Sequence, residues 1–272
     1  GSSPEQGAGF VQICALRRAC CVNPGRRGDL CADRNGPDMS YDLYVITDSV
    51  ISGGREHTDI ATAAVRGGAD VIQFRDKTMP ARRMYEEAEK IREITRNAGV
   101  LFIVNDRLDV ALTSEADGVH LGQGDLPLGA ARRICPENFI IGVSVGSVDQ
   151  AVAAERGGAG YVAVSPVFGT PSKPDAGPGL GTSLISEIAR RVSIPVIAIG
   201  GINAANVYEV IAAGADGVAV ISAVVGNPDI SAAARQMRSL VIRCKELRQG
   251  SAYPGTRGND TGILPEAGNE PR

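Results

Sequence analysis

The chain has 272 residues, 43% of them hydrophobic but only 4% aromatic, with no Trp, 34 Gly and 15 Pro, a length for one large α/β domain or two small ones. With 28 basic against 31 acidic residues and a formal charge of −3, the balance lends no support to a nucleic-acid binder, although a local basic pocket is compatible with it. The longest apolar runs reach only about half of the ~20 residues a membrane span needs, which excludes a transmembrane helix.

The opening Gly1-Ser2-Ser3 reads as an expression scar, and residues 1–38 as a flexible extension mixing Arg with Gly and Pro. Asp29, Asp33 and Asp38 argue against a transit peptide. Of the six cysteines, Cys14, Cys20, Cys21 and Cys31 crowd this stretch, while Cys135 and Cys244 stand alone. A secreted disulfide scaffold spreads its cysteines through the fold, so the body of the chain reads as cytoplasmic. No pair in the extension has the short gap of a zinc knuckle.

From about Tyr41 short β-branched runs alternate with longer helical patterns. Strands are predicted over Leu43 to Thr47, Val71 to Phe74, Leu101 to Val104, Gly118 to Leu121, Ile140 to Val143, Tyr161 to Val164, Val196 to Ile199 and Gly217 to Val220. Several are apolar with little alternation, as strands covered on both faces are. The clearest helices are Ala81 to Asn97, Val148 to Arg156, Leu184 to Arg191, Ala204 to Ala213 and Ile230 to Glu246. Eight strands at about 26 residues per unit predict a single-domain (β/α)8 TIM barrel over residues 39–249, with a doubly wound open sheet as the alternative. Residues 250–272, rich in Gly, Pro and polar residues, read as a disordered tail.

An internal echo accompanies this pattern. Gly67-Gly68-Ala69-Asp70, Ser114-Glu115-Ala116-Asp117, Gly157-Gly158-Ala159-Gly160 and Ala213-Gly214-Ala215-Asp216 each end a helix and open a strand. Their place is the bottom of the barrel, where structure rather than chemistry is expected.

Chemistry belongs at the C-terminal strand ends. The second strand runs into Gln73-Phe74-Arg75-Asp76-Lys77, where alternation sends Gln73, Arg75 and Lys77 the same way. Arg grips phosphate oxygens in a fork and Lys offers a point charge, while an Arg–Asp pair on the rim is the structural alternative. The third strand ends in Asn105-Asp106-Arg107 and the fourth in His120-Leu121-Gly122-Gln123-Gly124-Asp125. Asp106 and Asp125 thus emerge at one mouth beside cations, a setting for Mg²⁺, although an N-cap and a loop turn are common roles for such residues. His120 reads as a packed imidazole. The fifth strand closes on Ser144, and the sixth opens into a loop with Thr170-Pro171-Ser172-Lys173, able to close over an anion. Gly200-Gly201 after the seventh strand, and Ile221-Ser222 after the eighth, form a phosphate cradle of backbone N–H groups. Two anionic substrates, or one long one, fit such a mouth.

Taken together, Gln73 to Lys77, Asn105-Asp106-Arg107, Gly118 to Asp125, Gly142-Val143-Ser144, Thr170 to Lys173 and Ile199 to Ile202 resemble the thiamine-phosphate synthase family, in order, over about Tyr41 to Glu246. The resemblance implies a transferase that couples hydroxymethylpyrimidine diphosphate to hydroxyethylthiazole phosphate and releases pyrophosphate. It assigns Gln73, Phe74, Arg75, Asp76, Lys77, Asn105, Ser144 and Lys173 to the pyrimidine diphosphate, with Arg75, Lys77, Ser144 and Lys173 as the catalytic set. It assigns Thr170, Pro171, Ser172, Gly201, Ile221 and Ser222 to the thiazole phosphate, and Asp106 and Asp125 to Mg²⁺. Ser172 keeps the hydroxyl of the family's usual Thr, and Val145-Gly146 follow Ser144 where a small residue and a His are frequent. The resemblance is also consistent with a homo-oligomer acting on small molecules without nucleic acid or membrane. A thiazole tautomerase on the same barrel and a non-catalytic precursor-binding regulator are the alternatives.

Overall fold

The computed structural model describes residues 40–170, 172 and 177–251. Eight strands, β1 (Leu43–Ile46), β2 (Val71–Phe74), β3 (Leu101–Asn105), β4 (Gly118–Leu121), β5 (Ile140–Val145), β6 (Tyr161–Val164), β7 (Val196–Ile199) and β8 (Gly217–Val220), pair in parallel in sequence order. β8 returns to β1 with Leu43 opposite Val218, so the sheet closes into a barrel. The open-sheet alternative is thereby excluded. The strands form because short β-branched runs are buried on both faces, one toward the lumen and one toward the helices.

Alternation sorts each strand into two cores. Tyr44, Ile46, Val71, Ile103, Tyr161, Ile197 and Ala219 fill the lumen. Their neighbours Val45, Ile72, Phe74, Val104, Val162 and Val218 pack outward against the helices. The helical layer consists of α1 (His57–Arg66), α2 (Ala81–Ala98), α3 (Leu108–Thr113), α4 (Leu128–Ile134), α5 (Val148–Arg156), α6 (Thr182–Ala189), α7 (Val207–Ala212), α8 (Ser222–Val225) and α9 (Ile230–Ser251). α2 is amphipathic, burying Met84, Ala88, Ile91 and Thr95 at helical spacing, and it stops at Gly99, whose φ of 67° supplies the left-handed cap.

Two helices depart from the sequence pattern at their ends. α7 begins at Val207 rather than near Ala204, because Asn203 Oδ1 accepts the Ala205 N–H (2.9 Å) and Asn206 Oδ1 the Asn203 N–H (2.8 Å). Those local bonds compete with the helix for backbone groups. α9 continues to Ser251, past the predicted end at Glu246 and into the start of the predicted tail. Residues 1–39 and 252–272, with the four crowded cysteines, lie outside the described residues. Among the described residues Cys135 and Cys244 are free, and no helix is long and apolar enough to cross a membrane.

The internal echo has a structural meaning. Its four copies precede β2, β4, β6 and β8, the even strands, as fits a barrel whose interior is layered by alternate strands. Asp70 Oδ2 accepts the Leu43 N–H, Asp117 Oδ2 that of Phe102, and Asp216 Oδ2 that of Val196, at 2.8–2.9 Å. Each Asp returns its own N–H to the carbonyl of the same residue, at 2.8–2.9 Å. The reciprocal pair pins the foot of each odd strand to the next even one. In the third copy Gly160 stands in place of Asp and keeps only the backbone half, to Ile141 O at 2.8 Å.

Candidate active site

β2 delivers Gln73 into the lumen at 2% exposure, with Arg75 and Lys77 following it toward the mouth. Among the described residues four buried side-chain polar atoms lack a partner, and two of them are Gln73 Oε1 and Arg75 Nε. A buried polar atom left unpaired costs about 1–3 kcal/mol, so a pair of them at one strand end points to a polar ligand. Arg75 also holds Asp48 Oδ2 through Nη1 at 3.3 Å, which realises the rim pair with a partner from the β1–α1 loop.

Two members of the Gln73–Lys77 segment face protein. Phe74 is fully buried in the outer core, 4.8 Å from the His57 ring, because alternation turns it away from Gln73. Its side chain therefore faces the helix layer and not the mouth. Asp76 Oδ1 accepts the Thr78 and Met79 N–H groups, both at 2.8 Å, and Oδ2 lies 3.3 Å from His57 Nε2. Partial burial pushes this carboxyl up, but those N–H groups, the Thr78 hydroxyl and His57 together hold it below the usual carboxylate range. Asp76 thus shapes the turn that carries Arg75 and Lys77. His57 Nδ1 in turn lies 2.7 Å from Thr47 Oγ1, which accepts the Arg75 N–H at 3.3 Å.

Next around the barrel, β3 ends in buried Asn105, opposite His120 of β4. Asp106 follows with φ 61°, a left-handed conformation that Asp tolerates better than most residues. Its N–H donates to His120 O at 2.9 Å, which fastens it to the β4 end. Asp125 lies in the loop after β4 and accepts the Gly122 N–H at 2.7 Å. Among the described residues no group of three or more His, Cys, Asp and Glu could hold a metal. Two carboxylates on adjacent loops still suit Mg²⁺, which keeps waters and takes one or two carboxylates with substrate phosphates. Ser144, half-buried on β5, lies with Oγ 2.9 Å from His120 Nε2.

On the opposite side a cavity opens between the ends of β6, β7 and β8, lined by Ser165, Thr170, Ser172, Gly200, Gly201, Ile221 and Ser222. The two glycines have φ 105° and 63°, and a Cβ on Gly201 would stand 2.8 Å from Phe168 Cβ and Gly169 O. Only glycine lets the β6 and β7 loops close up here. Thr170 Oγ1 accepts the Ser172 N–H at 3.2 Å, which turns the loop beside the cavity. The start of α8 adds first-turn N–H groups that no helical carbonyl can take. The cavity brings together Thr170, Ser172, Gly201, Ile221 and Ser222, five of the residues that the family resemblance assigns to the thiazole phosphate; Pro171 and Lys173 lie outside the described residues.

The sequence reading missed Thr47, Asp48 and His57, which support Arg75, and Tyr44 and Tyr161, which reach Gln73 and His120 from inside the barrel. Nothing in a linear pattern separates a lumen Tyr from a core Tyr.

Fold and site together define a (β/α)8 barrel of the enzyme type, with a polar cleft at the C-terminal mouth. Within that class the chain belongs to the thiamine monophosphate synthase family, whose profile matches residues 43–224. It is 62% identical over 207 residues to a thiamine-phosphate synthase of Methanoculleus marisnigri, covering 76% of this chain and 98% of that one. A thiamine-phosphate synthase of Methanoregula boonei is 59% identical, with 76% and 96% covered. Among solved structures, a thiamine phosphate pyrophosphorylase from Pyrococcus furiosus superposes with a TM-score of 0.70 at 44% identity, covering 75% of this chain and 96% of that one.

Proposed function

We propose that the protein is a thiamine-phosphate synthase. It condenses 4-amino-2-methyl-5-hydroxymethylpyrimidine diphosphate with 4-methyl-5-(2-hydroxyethyl)thiazole phosphate, giving thiamine phosphate and pyrophosphate. The observation that supports the reading is a pair of polar features at one end of the barrel: Gln73 Oε1 and Arg75 Nε, buried without a protein partner at the end of β2, and the glycine-lined cavity between the ends of β6, β7 and β8.

In this reading Gln73, Asn105 and Ser144 orient the pyrimidine, and Arg75, Lys77 and Lys173 bind its diphosphate. Thr170, Pro171, Ser172, Gly201, Ile221 and Ser222 bind the thiazole phosphate. Asp106 and Asp125 would hold Mg²⁺, which would offset negative charge growing on the departing pyrophosphate. The C–O bond to the diphosphate breaks and its electron pair leaves with pyrophosphate. The electron-rich aminopyrimidine stabilises the resulting cation until the thiazole nitrogen attacks. The attacking nitrogen carries no proton, so no general base is required. Cations placed where charge develops act more strongly on that step than on ground-state binding. Water would trap the cation, which gives the loop between Thr170 and Gly181 its purpose. The same reading places the reaction in the cytoplasm, in keeping with the free thiols of Cys135 and Cys244, and is compatible with self-association.

Mixing the protein with both precursors and Mg²⁺ should release pyrophosphate and thiamine phosphate in equal amounts. Isomerisation of a thiazole precursor without pyrophosphate release would instead identify a tautomerase, and binding without turnover a regulator.

A further inference from the structure

A line of buried side chains crosses the lumen beneath the mouth. Gln73 Nε2 donates to Tyr44 Oη at 2.8 Å, and Tyr44 Oη lies 2.8 Å from Tyr161 Oη. Tyr161 Oη is 3.0 Å from His120 Nδ1, and His120 Nε2 is 2.9 Å from Ser144 Oγ. The five residues come from β2, β1, β6, β4 and β5, so the line bridges the barrel instead of following one strand pair. Space for it is built in: a Cβ on Gly142 would lie 2.0 Å from Tyr161 Cζ, so the glycine on β5 admits the phenol.

Counting protons gives the line a direction. Burial pushes the Tyr44 and Tyr161 hydroxyls well above their ordinary range, so each keeps its one proton. Tyr44 Oη accepts from Gln73, and its own proton has Tyr161 Oη as acceptor. Tyr161 then donates to His120 Nδ1, which must be the unprotonated nitrogen, and Nε2–H donates to Ser144 Oγ. A reversal partway along would leave a buried phenol proton unpaired. The two ends therefore differ in kind. Gln73 presents Oε1, an acceptor without a protein partner, and Ser144 retains a hydroxyl proton to donate.

We propose that Tyr44, Tyr161 and His120 are positioning residues forming a one-way hydrogen-bond chain, which fixes the polarity of Gln73 and Ser144 and thereby selects an amino group over an oxo group on the pyrimidine. The inference rests on the synthase reading for its ligand. An amino N–H satisfies Gln73 Oε1, whereas a carbonyl placed there would face it lone pair to lone pair. To accept the oxo analogue the amide would have to turn over, and that would break the Tyr44 bond and invert the whole chain.

The test is to measure Kd of the aminopyrimidine diphosphate and of its 4-oxo analogue by calorimetry, without the thiazole substrate, for the full chain and for Tyr44→Phe and Tyr161→Phe. The native protein should prefer the amino form by on the order of 10²-fold, and both variants should lose most of that preference. Each variant should lose a few degrees of Tm to its broken buried hydrogen bonds, but affinity for thiazole phosphate should change little. A merely structural role for the phenols would not remove the preference while leaving that affinity intact. Because the chain has two histidines, ¹⁵N imidazole NMR gives an independent arm on the native protein: His120 should be neutral and protonated on Nε2. An Nδ1-protonated His120, or a preference unchanged in both variants, would overturn the proposal. Failure of the native protein to bind either diphosphate would instead overturn the synthase reading, and the imidazole tautomer would still decide the direction of the chain.

Discussion

Arg75 sits at the mouth with part of its guanidinium committed to Asp48 and its Nε without a protein partner. A planar fork held at one corner presents its remaining N–H groups in a fixed direction, which a flexible ammonium cannot reproduce. Arg75→Lys should therefore lower kcat/KM for the pyrimidine diphosphate on the order of 10²-fold while leaving the thiazole KM unchanged, as steady-state kinetics would show. The aspartates allow a cleaner charge test. Asn tolerates the left-handed φ of 61° at position 106 as well as Asp does, so Asp106→Asn removes charge without straining the backbone. Asp106→Asn and Asp125→Asn should each cut turnover and raise the Mg²⁺ concentration needed for half-maximal rate. Full activity in excess chelator would contradict the metal assignment.

At the scale of elements, the barrel's lower rim is held by carboxylates that take no part in the chemistry. Asp216→Ala would leave the Val196 N–H without its acceptor at 2.9 Å, costing about 1–3 kcal/mol. Thermal unfolding should register a drop of several degrees, with kcat/KM unaltered because the mouth is at the other end of the strands. α9 is fastened by a second set: Arg238 bonds Asp70 at 3.0 Å, and Lys245 bonds Asp42 just before β1. Burial pushes Asp42 up, yet Lys245, Ser40 and Arg238 hold its carboxyl below the ordinary range. A carboxyl lowered in the folded state stabilises the fold above its unfolded pKa of about 3.9, and that contribution is lost as pH falls through the lower folded value. Asp42→Asn should accordingly cost about 1 kcal/mol at pH 7, and the difference from the native protein should begin to shrink only as pH falls below about 4, vanishing below the lower folded value.

For the whole molecule, the family relatives place a boundary on what catalysis needs. The Methanoculleus marisnigri synthase matches over 98% of its own length with 76% of this chain. The barrel from β1 to α9 spans residues 43–251. A chain limited to residues 39–251 should keep its turnover and most of its thermal stability. A large loss of either, seen by calorimetry or by pyrophosphate release, would show that residues outside that span contribute to the fold or the site.

The order of the eight strands and most of their limits were legible in the sequence. Short β-branched runs buried on both faces leave a local signature, and strand ends identify the residues that follow them. α1, α3, α4 and α8 were not singled out; α3, α4 and α8, of six, seven and four residues, complete too little of a 3.6-residue period. Phe74 shows what a motif does not tell: the resemblance assigns the whole segment Gln73 to Lys77 to one substrate, while alternation along β2 turns the Phe74 side chain into the outer core. The sequence by itself determined which residues could carry charge, hydroxyls and turns, since those are properties of side chains and their neighbours. Only closure of the barrel decided that Tyr44 meets Tyr161 across 117 residues, and only the β1–β2 register that Asp48 meets Arg75. Such contacts depend on the register and radius of the closed sheet, which no local pattern encodes.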